Sequence, residues 1–123
     1  MGGNHRIAEA LLNIRAVALS LDPPFTWVSG IRSPIYCDNR LLISHPDERN
    51  LVVNRFVEEI RHMKIQPDVI AGTATSGIPF AAWVADRLNL PMVYVRAAKK
   101  EHGKGKAIEG HLSAGTNVLV IED

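Results

Sequence analysis

Asn117-Val118-Leu119-Val120-Ile121-Glu122-Asp123 carries the pattern that decides the fold. Val118 to Ile121 form an apolar run with no polar face, which suits a strand buried on both sides, as in a parallel sheet. The run leads into two adjacent carboxylates, Glu122 and Asp123. In open α/β sheets, ligands bind beyond the carboxyl ends of the strands. Two acids placed there can accept hydrogen bonds from sugar hydroxyls or stand near a hard cation such as Mg²⁺. The sequence stops at Asp123 with no further loop or helix. The expectation is therefore a domain interrupted within its own site, with this strand left as an exposed edge.

Outward from that stretch, the composition excludes several classes. At 123 residues the chain is one domain with room for a real core. Apolar content of 46% and charged content of 22% are those of an ordinary soluble domain. A net charge of +1 gives no global argument for nucleic acid or for a membrane surface. No apolar run approaches membrane-spanning length, and the N-terminus lacks a signal-peptide core. Cys37 is the only cysteine, so no intrachain disulfide forms and a reducing, cytoplasmic setting fits.

Earlier in the chain, His5 to Leu21 has apolar residues at helical spacing (Ile7, Leu11, Ile14, Ala18, Leu21), ended by Asp22-Pro23-Pro24. Phe25 to Val28 and Ile35 to Cys37 read as short strands around the turn residues Ser29-Gly30 and Ser33-Pro34. They suggest a hairpin with Arg32 at its tip. Ser44 is the expected cap of a helix that runs to about Met63, with Pro46 in its first turn and an apolar face of Leu51, Val52, Phe56, Val57 and Ile60.

Asp68 to Asn89 reads as strand, loop and helix. The strand is Val69 to Ala71, the loop Gly72 to Gly77, and the helix Ile78 to Leu88 with Ile78, Ala81, Ala82, Ala85 and Leu88 on one face. A loop of small residues between a strand and a helix N-terminus offers backbone N–H groups and hydroxyls to an anion. It lacks the Gly-Lys-Ser/Thr ending of a Walker loop, and a plain βα turn is the alternative. Met92 to Val95 is the next strand. Arg96 to Gly110 then reads as a long loop with Arg96, Lys99, Lys100, Lys104 and Lys106 against only Glu101 and Glu109. Long loops without structure in a compact domain are often functional lids. A cationic one beginning at a strand's carboxyl end can close over a polyphosphate.

Together, four segments resemble the orotate phosphoribosyltransferases of the type I phosphoribosyltransferase family. They are Phe25-Thr26-x-x-Ser29-Gly30-x-x-Ser33-Pro34-Ile35-Tyr36-x-Asp38-x-Arg40; Ala71-Gly72-Thr73-Ala74-Thr75-Ser76-Gly77-Ile78-Pro79; Arg96-x-x-Lys99-Lys100-Glu101-His102-Gly103; and Ile108-Glu109-Gly110 with Val118 to Asp123. The resemblance implies an α/β fold, a type I phosphoribosyltransferase-like parallel sheet flanked by helices. It implies a small N-terminal helix and hood over about residues 1–45 and a core over about 46–123 with a mobile loop at 96–110, the later strands lying beyond the sequence. It implies transfer of ribose 5-phosphate from phosphoribosyl pyrophosphate to orotate, giving orotidine 5′-monophosphate and pyrophosphate with Mg²⁺, in pyrimidine biosynthesis.

By the same resemblance, Lys100 is the catalytic lysine of the mobile loop. Arg96, Lys100, His102, Glu122 and Asp123 bind phosphoribosyl pyrophosphate, and Thr73, Ala74, Thr75, Ser76 and Gly77 lie under the pyrophosphate. Arg32 and Tyr36 belong to the hood over orotate. No residue is assigned directly to the metal. The loop is shared between subunits, which implies a homodimer. Two positions depart from the pattern: Val28 stands where some members carry lysine, and Ala97 where some carry a second base, with Lys99 nearby. The phosphate loop that follows the paired acids in the family is absent, which implies impaired activity for the 123-residue chain. The alternatives are a purine phosphoribosyltransferase and a non-catalytic regulator that senses phosphoribosyl pyrophosphate.

Overall fold

Around Val118 to Ile121 the chain builds a four-stranded sheet, and the computed structural model describes it with residues 2–98 and 107–123. Its strands are β5 (Val69–Thr73), β6 (Met92–Val95), β7 (Ile108–Glu109) and β8 (Val118–Ile121), in the order β7-β6-β5-β8. β5 runs parallel to both β6 and β8, and β7 is antiparallel to β6. Before them come helix α1 (Gly2–Asn13), β1 (Val17–Leu19), β2 (Phe25–Thr26), β3 (Arg32–Ser33), β4 (Ile35–Cys37), a 3₁₀ turn at Asn39–Ser44 and helix α2 (Pro46–Arg61). Helix α3 (Gly77–Leu88) connects β5 to β6. The class is α/β, a mostly parallel sheet flanked by helices. The residues part into two compact units, Met1–Val52 and Val53–Asp123.

The N-terminal unit departs from the expected long first helix. α1 stops at Asn13, and Arg15 adopts a left-handed φ of 59°. The Ala16 N–H reaches back to the Leu11 carbonyl (2.9 Å), closing the helix end. Val17 to Leu19 then pair antiparallel with Ile35 to Cys37, so the apolar residues beyond Arg15 belong to a strand. The hairpin is β2 with β3, and β4 pairs with β1. Arg32 lies within β3 opposite Thr26, not at the tip, which is formed by Trp27 to Ile31 with Gly30 at φ 87°.

Asp38 caps the 3₁₀ turn that the sequence does not announce. Its Oδ1 accepts from the Arg40 backbone N–H (3.2 Å) and from Arg40 Nε (2.7 Å). The Arg40 side-chain bond is the main cause that holds the Asp38 carboxyl below its ordinary value; partial desolvation opposes it. A lowered folded-state pKa contributes stability that is complete above the unfolded value, about 4, and is lost as pH falls through the folded value. Asp38→Asn is therefore expected to be less stable at neutral pH and to lose less on acidification below about pH 4. Urea unfolding of both proteins between neutral pH and pH 3 checks this; parallel curves would remove the Asp38 contribution. His45, rather than Ser44, directly precedes α2, and its carbonyl accepts from the Arg49 N–H at 2.8 Å.

In the C-terminal unit, β5 is buried almost throughout. Its side chains alternate between faces. Val69 and Ala71 pack with Val93, Ile108 and Leu112 on one face. Gly72 lies against α3: a Cβ there would stand 2.9 Å from Ala81 Cβ, so glycine lets helix and strand approach closely. Ile70 shares that face and is fully buried. The residues α3 buries are Gly77, Phe80, Ala81, Val84 and Ala85; of the expected face, Ala81 and Ala85 are buried while Ile78, Ala82 and Leu88 are only partly so. α2 buries Val53, Val57 and Ile60. Ile70→Val removes one methylene from a fully buried site and is expected to cost about 1 kcal/mol in chemical denaturation. An unchanged midpoint would show that the site collapses around the loss.

β8 differs from the expectation of burial on both sides. Val118 and Val120 are exposed and only Ile121 is buried. Among the described residues β8 is an edge strand with β5 on one side only, and Val120 remains 56% exposed.

Candidate functional site

Three pieces of chain meet at the carboxyl ends of the parallel strands. β5 ends at Thr73, Ala74 to Ser76 turn, and α3 begins at Gly77. The Ala74 N–H donates to the Val95 carbonyl (2.8 Å), which ties this turn to the end of β6. The Ile78 N–H donates to the Thr75 carbonyl (3.2 Å). The Ala74–Thr75 peptide is cis. Ser76 sits at the N-cap without a side-chain capping bond, so its hydroxyl caps no helical amide. The start of α3 presents the positive end of a helix dipole and its first amides, which suits an anion.

The paired acids lie beside that turn. In register, Gly72 of β5 is opposite Ile121 of β8, so Thr73 and Glu122 are the next residues along neighbouring strands. Gly77 closes the gap: a Cβ at this position would lie 2.6 Å from the Ile121 carbonyl oxygen, 2.7 Å from Thr73 Oγ1 and 3.3 Å from Glu122 Cα. Glycine is needed because the N-terminus of α3 abuts the end of β8. Glu122 and Asp123 are exposed. The arrangement sets the first amides of α3 and the hydroxyls of the turn next to two solvent-facing carboxylates.

Arg96 follows β6 at the same end of the sheet. Its Nε donates to Glu109 Oε1 at 2.8 Å, and its Cζ lies 6.0 Å from the centre of the Tyr94 ring. The Arg96 N–H donates to the Ala107 carbonyl at 2.7 Å. The segment read as one long loop thus has a stem, because Ile108 and Glu109 pair with Val95 and Tyr94. Lys100 and His102, with Lys99, lie outside the described residues. Arg32 and Tyr36 belong to the N-terminal unit, Arg32 on exposed β3 and Tyr36 on β4 with its ring 5.7 Å from that of Phe25. The partnership of Glu109 with Arg96 escaped the sequence reading. Its signal was an acid on an apolar return strand, among bases.

For Mg²⁺ the test is the donor set. Among the described residues, no group of three or more histidine, cysteine or acidic side chains could hold a metal ion. Two adjacent exposed carboxylates fit a cation that takes one or two protein ligands and fills its shell from phosphate oxygens and water, which is the habit of Mg²⁺.

A small-residue turn into a helix beside paired acids at the end of a parallel strand accords with the family whose sequence model matches residues 45–123: the chain belongs to the phosphoribosyl transferase domain family. Its parallel sheet and flanking helices are those of the type I phosphoribosyltransferase fold. More particularly, it is 57% identical over 118 residues to the orotate phosphoribosyltransferase of Listeria monocytogenes serotype 4b, covering 96% of this chain and 56% of that protein. It is 54% identical over 117 residues to the orotate phosphoribosyltransferase of Coxiella burnetii, covering 95% of this chain and 56% of that protein. The crystal structure of orotate phosphoribosyltransferase from Aeropyrum pernix superposes with a TM-score of 0.72 at 30% identity, over 93% of this chain and 62% of that one. The chain thus spans little more than half the length of these curated relatives.

Proposed function

We propose that the protein is an orotate phosphoribosyltransferase, transferring ribose 5-phosphate from phosphoribosyl pyrophosphate to orotate in pyrimidine biosynthesis. The observation that carries this is identity of 54–57% across at least 95% of the chain to relatives named for that activity. In the reaction a ring nitrogen of orotate gives up its proton to solvent and forms a bond to ribose C1, as the bond to pyrophosphate breaks and its electron pair leaves with the pyrophosphate. Positive charge grows at the sugar and negative charge on the leaving group, so catalysis is mainly electrostatic.

In this reading the Thr73–Gly77 turn receives the pyrophosphate, and Arg96, Lys100 and His102 meet its charge. Glu122 and Asp123 accept hydrogen bonds from the ribose hydroxyls. The hood residues Arg32 and Tyr36 cover orotate, where a ring can stack on the base. Glu122 and Asp123 are also the residues beside which Mg²⁺ is proposed to sit; when bound it neutralises pyrophosphate charge. Steady-state transfer with orotate, adenine and xanthine as acceptors tests the assignment. In the full-length protein, turnover of orotate alone is expected, and transfer to either purine without orotate overturns the assignment.

The reading extends to a cytoplasmic homodimer that shares the cationic loop between subunits. The exposed free thiol of Cys37 suits a reducing compartment. No helix among the described residues is long and apolar enough to cross a membrane. Mixing a Lys100→Ala subunit with an Asp123→Asn subunit is expected to restore part of the activity, since one of the two sites regains both residues. Confirmed mixed dimers without rescue count against sharing.

A further inference from the structure

We propose that Glu109 is the positioning residue for Arg96. This inference rests on the proposed role of Arg96 toward pyrophosphate and adds what orients it. An arginine side chain has many rotamers, and ordering it on binding costs affinity unless it is ordered beforehand. Two contacts order this side chain, and a third fixes the backbone that carries it. The Arg96 N–H is bonded to the Ala107 carbonyl, its guanidinium lies over Tyr94, and its Nε donates to Glu109 Oε1. Tyr94 and Glu109 are cross-strand partners, so the ring and the carboxylate that hold the guanidinium are fixed to each other by the β6–β7 ladder.

The donor used decides the consequence. Nε is the inner donor of the guanidinium, and a bond made there leaves the outer Nη groups as a planar fork of the kind that binds phosphate. Arg96 is placed by Val95, whose carbonyl accepts from the Ala74 N–H, so the held guanidinium starts from the turn proposed to receive the same anion. Both side chains are about 30% exposed, so the pair is open to solvent and does not enclose a buried charge. Its value lies in orientation.

The test is calorimetric titration of inorganic pyrophosphate into the wild-type protein and its Glu109→Ala, Glu109→Gln, Arg96→Ala and Glu109→Ala/Arg96→Ala variants. Glu109→Ala is expected to weaken binding about five- to ten-fold, the scale of ordering one rotamer-rich side chain. Glu109→Gln keeps an acceptor for Nε and is expected within about two-fold of wild type. In the Arg96→Ala background, Glu109→Ala is expected to change nothing, which a general loss of structure would not reproduce. The inference is overturned if Glu109→Ala binds as wild type, if it binds more tightly (the carboxylate then merely repels the anion), if glutamine fails to rescue, or if the effect persists without Arg96. Pyrophosphate binding that follows this pattern in a protein that does not turn over orotate would sink the proposed acceptor and leave the role of Glu109 standing.

Discussion

Gly77→Ala is expected to lower the unfolding free energy by about 2 kcal/mol. The added methyl would lie 2.6 Å from the Ile121 carbonyl oxygen and 2.7 Å from Thr73 Oγ1, well inside contact distance. The threonine can rotate away. The carbonyl cannot, because Ile121 is buried and paired in the ladder opposite Gly72. Relief therefore requires α3 to lift from β8, or β8 to slide on β5. Alanine is the better helix former by up to about 1 kcal/mol, which offsets part of an overpacking cost of about 3 kcal/mol. Gly2 is the control: it also lies in a helix but nothing lies within 4 Å of a Cβ there, so Gly2→Ala should not lower stability. Denaturant midpoints with equal slopes read the difference. A Gly77→Ala protein as stable as its parent would mean that the joint between α3 and β8 is loose.

If the proposed reaction holds, Lys100→Ala in the full-length protein is expected to reduce kcat roughly 100- to 1000-fold, the scale of removing one charge partner from a developing anion. KM for phosphoribosyl pyrophosphate should change far less. The distinction follows from the chemistry: the leaving pyrophosphate carries more charge in the transition state than in the bound substrate, so a cation aimed at it contributes most there. A lysine ammonium is a compact point charge on a flexible stem, suited to follow charge as it moves. Single-turnover rates beside steady-state constants separate chemistry from binding. Equal losses in both would assign Lys100 to uniform binding and remove it from catalysis.

Much of the core is legible in the sequence because its signals are local. The small-residue turn between Ala71 and Ile78 marks a strand, a tight loop and a helix, and the structure forms all three. Val118 to Ile121 announces a strand, and its edge position is the expected one, but an apolar run does not say whether both faces will be covered, so the exposure of Val118 and Val120 contradicts the burial read from the run itself. The first helix is overread because apolar residues continue past Arg15 with helical spacing by coincidence; only the left-handed φ at Arg15 divides helix from strand. Partner choice among β1 to β4 depends on chain reversals, and short strands in one region admit more than one pairing. Glu122 and Asp123 are found from their place after a strand. Glu109 is missed because its importance is a distance to Arg96, thirteen positions away in sequence.

The pairing of β5 with β8 also bears on how the sheet assembles. Val69 meets Val118 and Gly72 meets Ile121, contacts that close a stretch of chain containing α3, β6 and β7. Closing so long a loop costs chain entropy before any parallel ladder bond repays it. The nearer pairings, β6 with β7 and β5 with β6 through α3, close shorter stretches. The β8 ladder should therefore be the last to zip and the first to open. The two carboxylates it carries would then reach the Thr73–Gly77 turn only when the rest of the sheet has already formed.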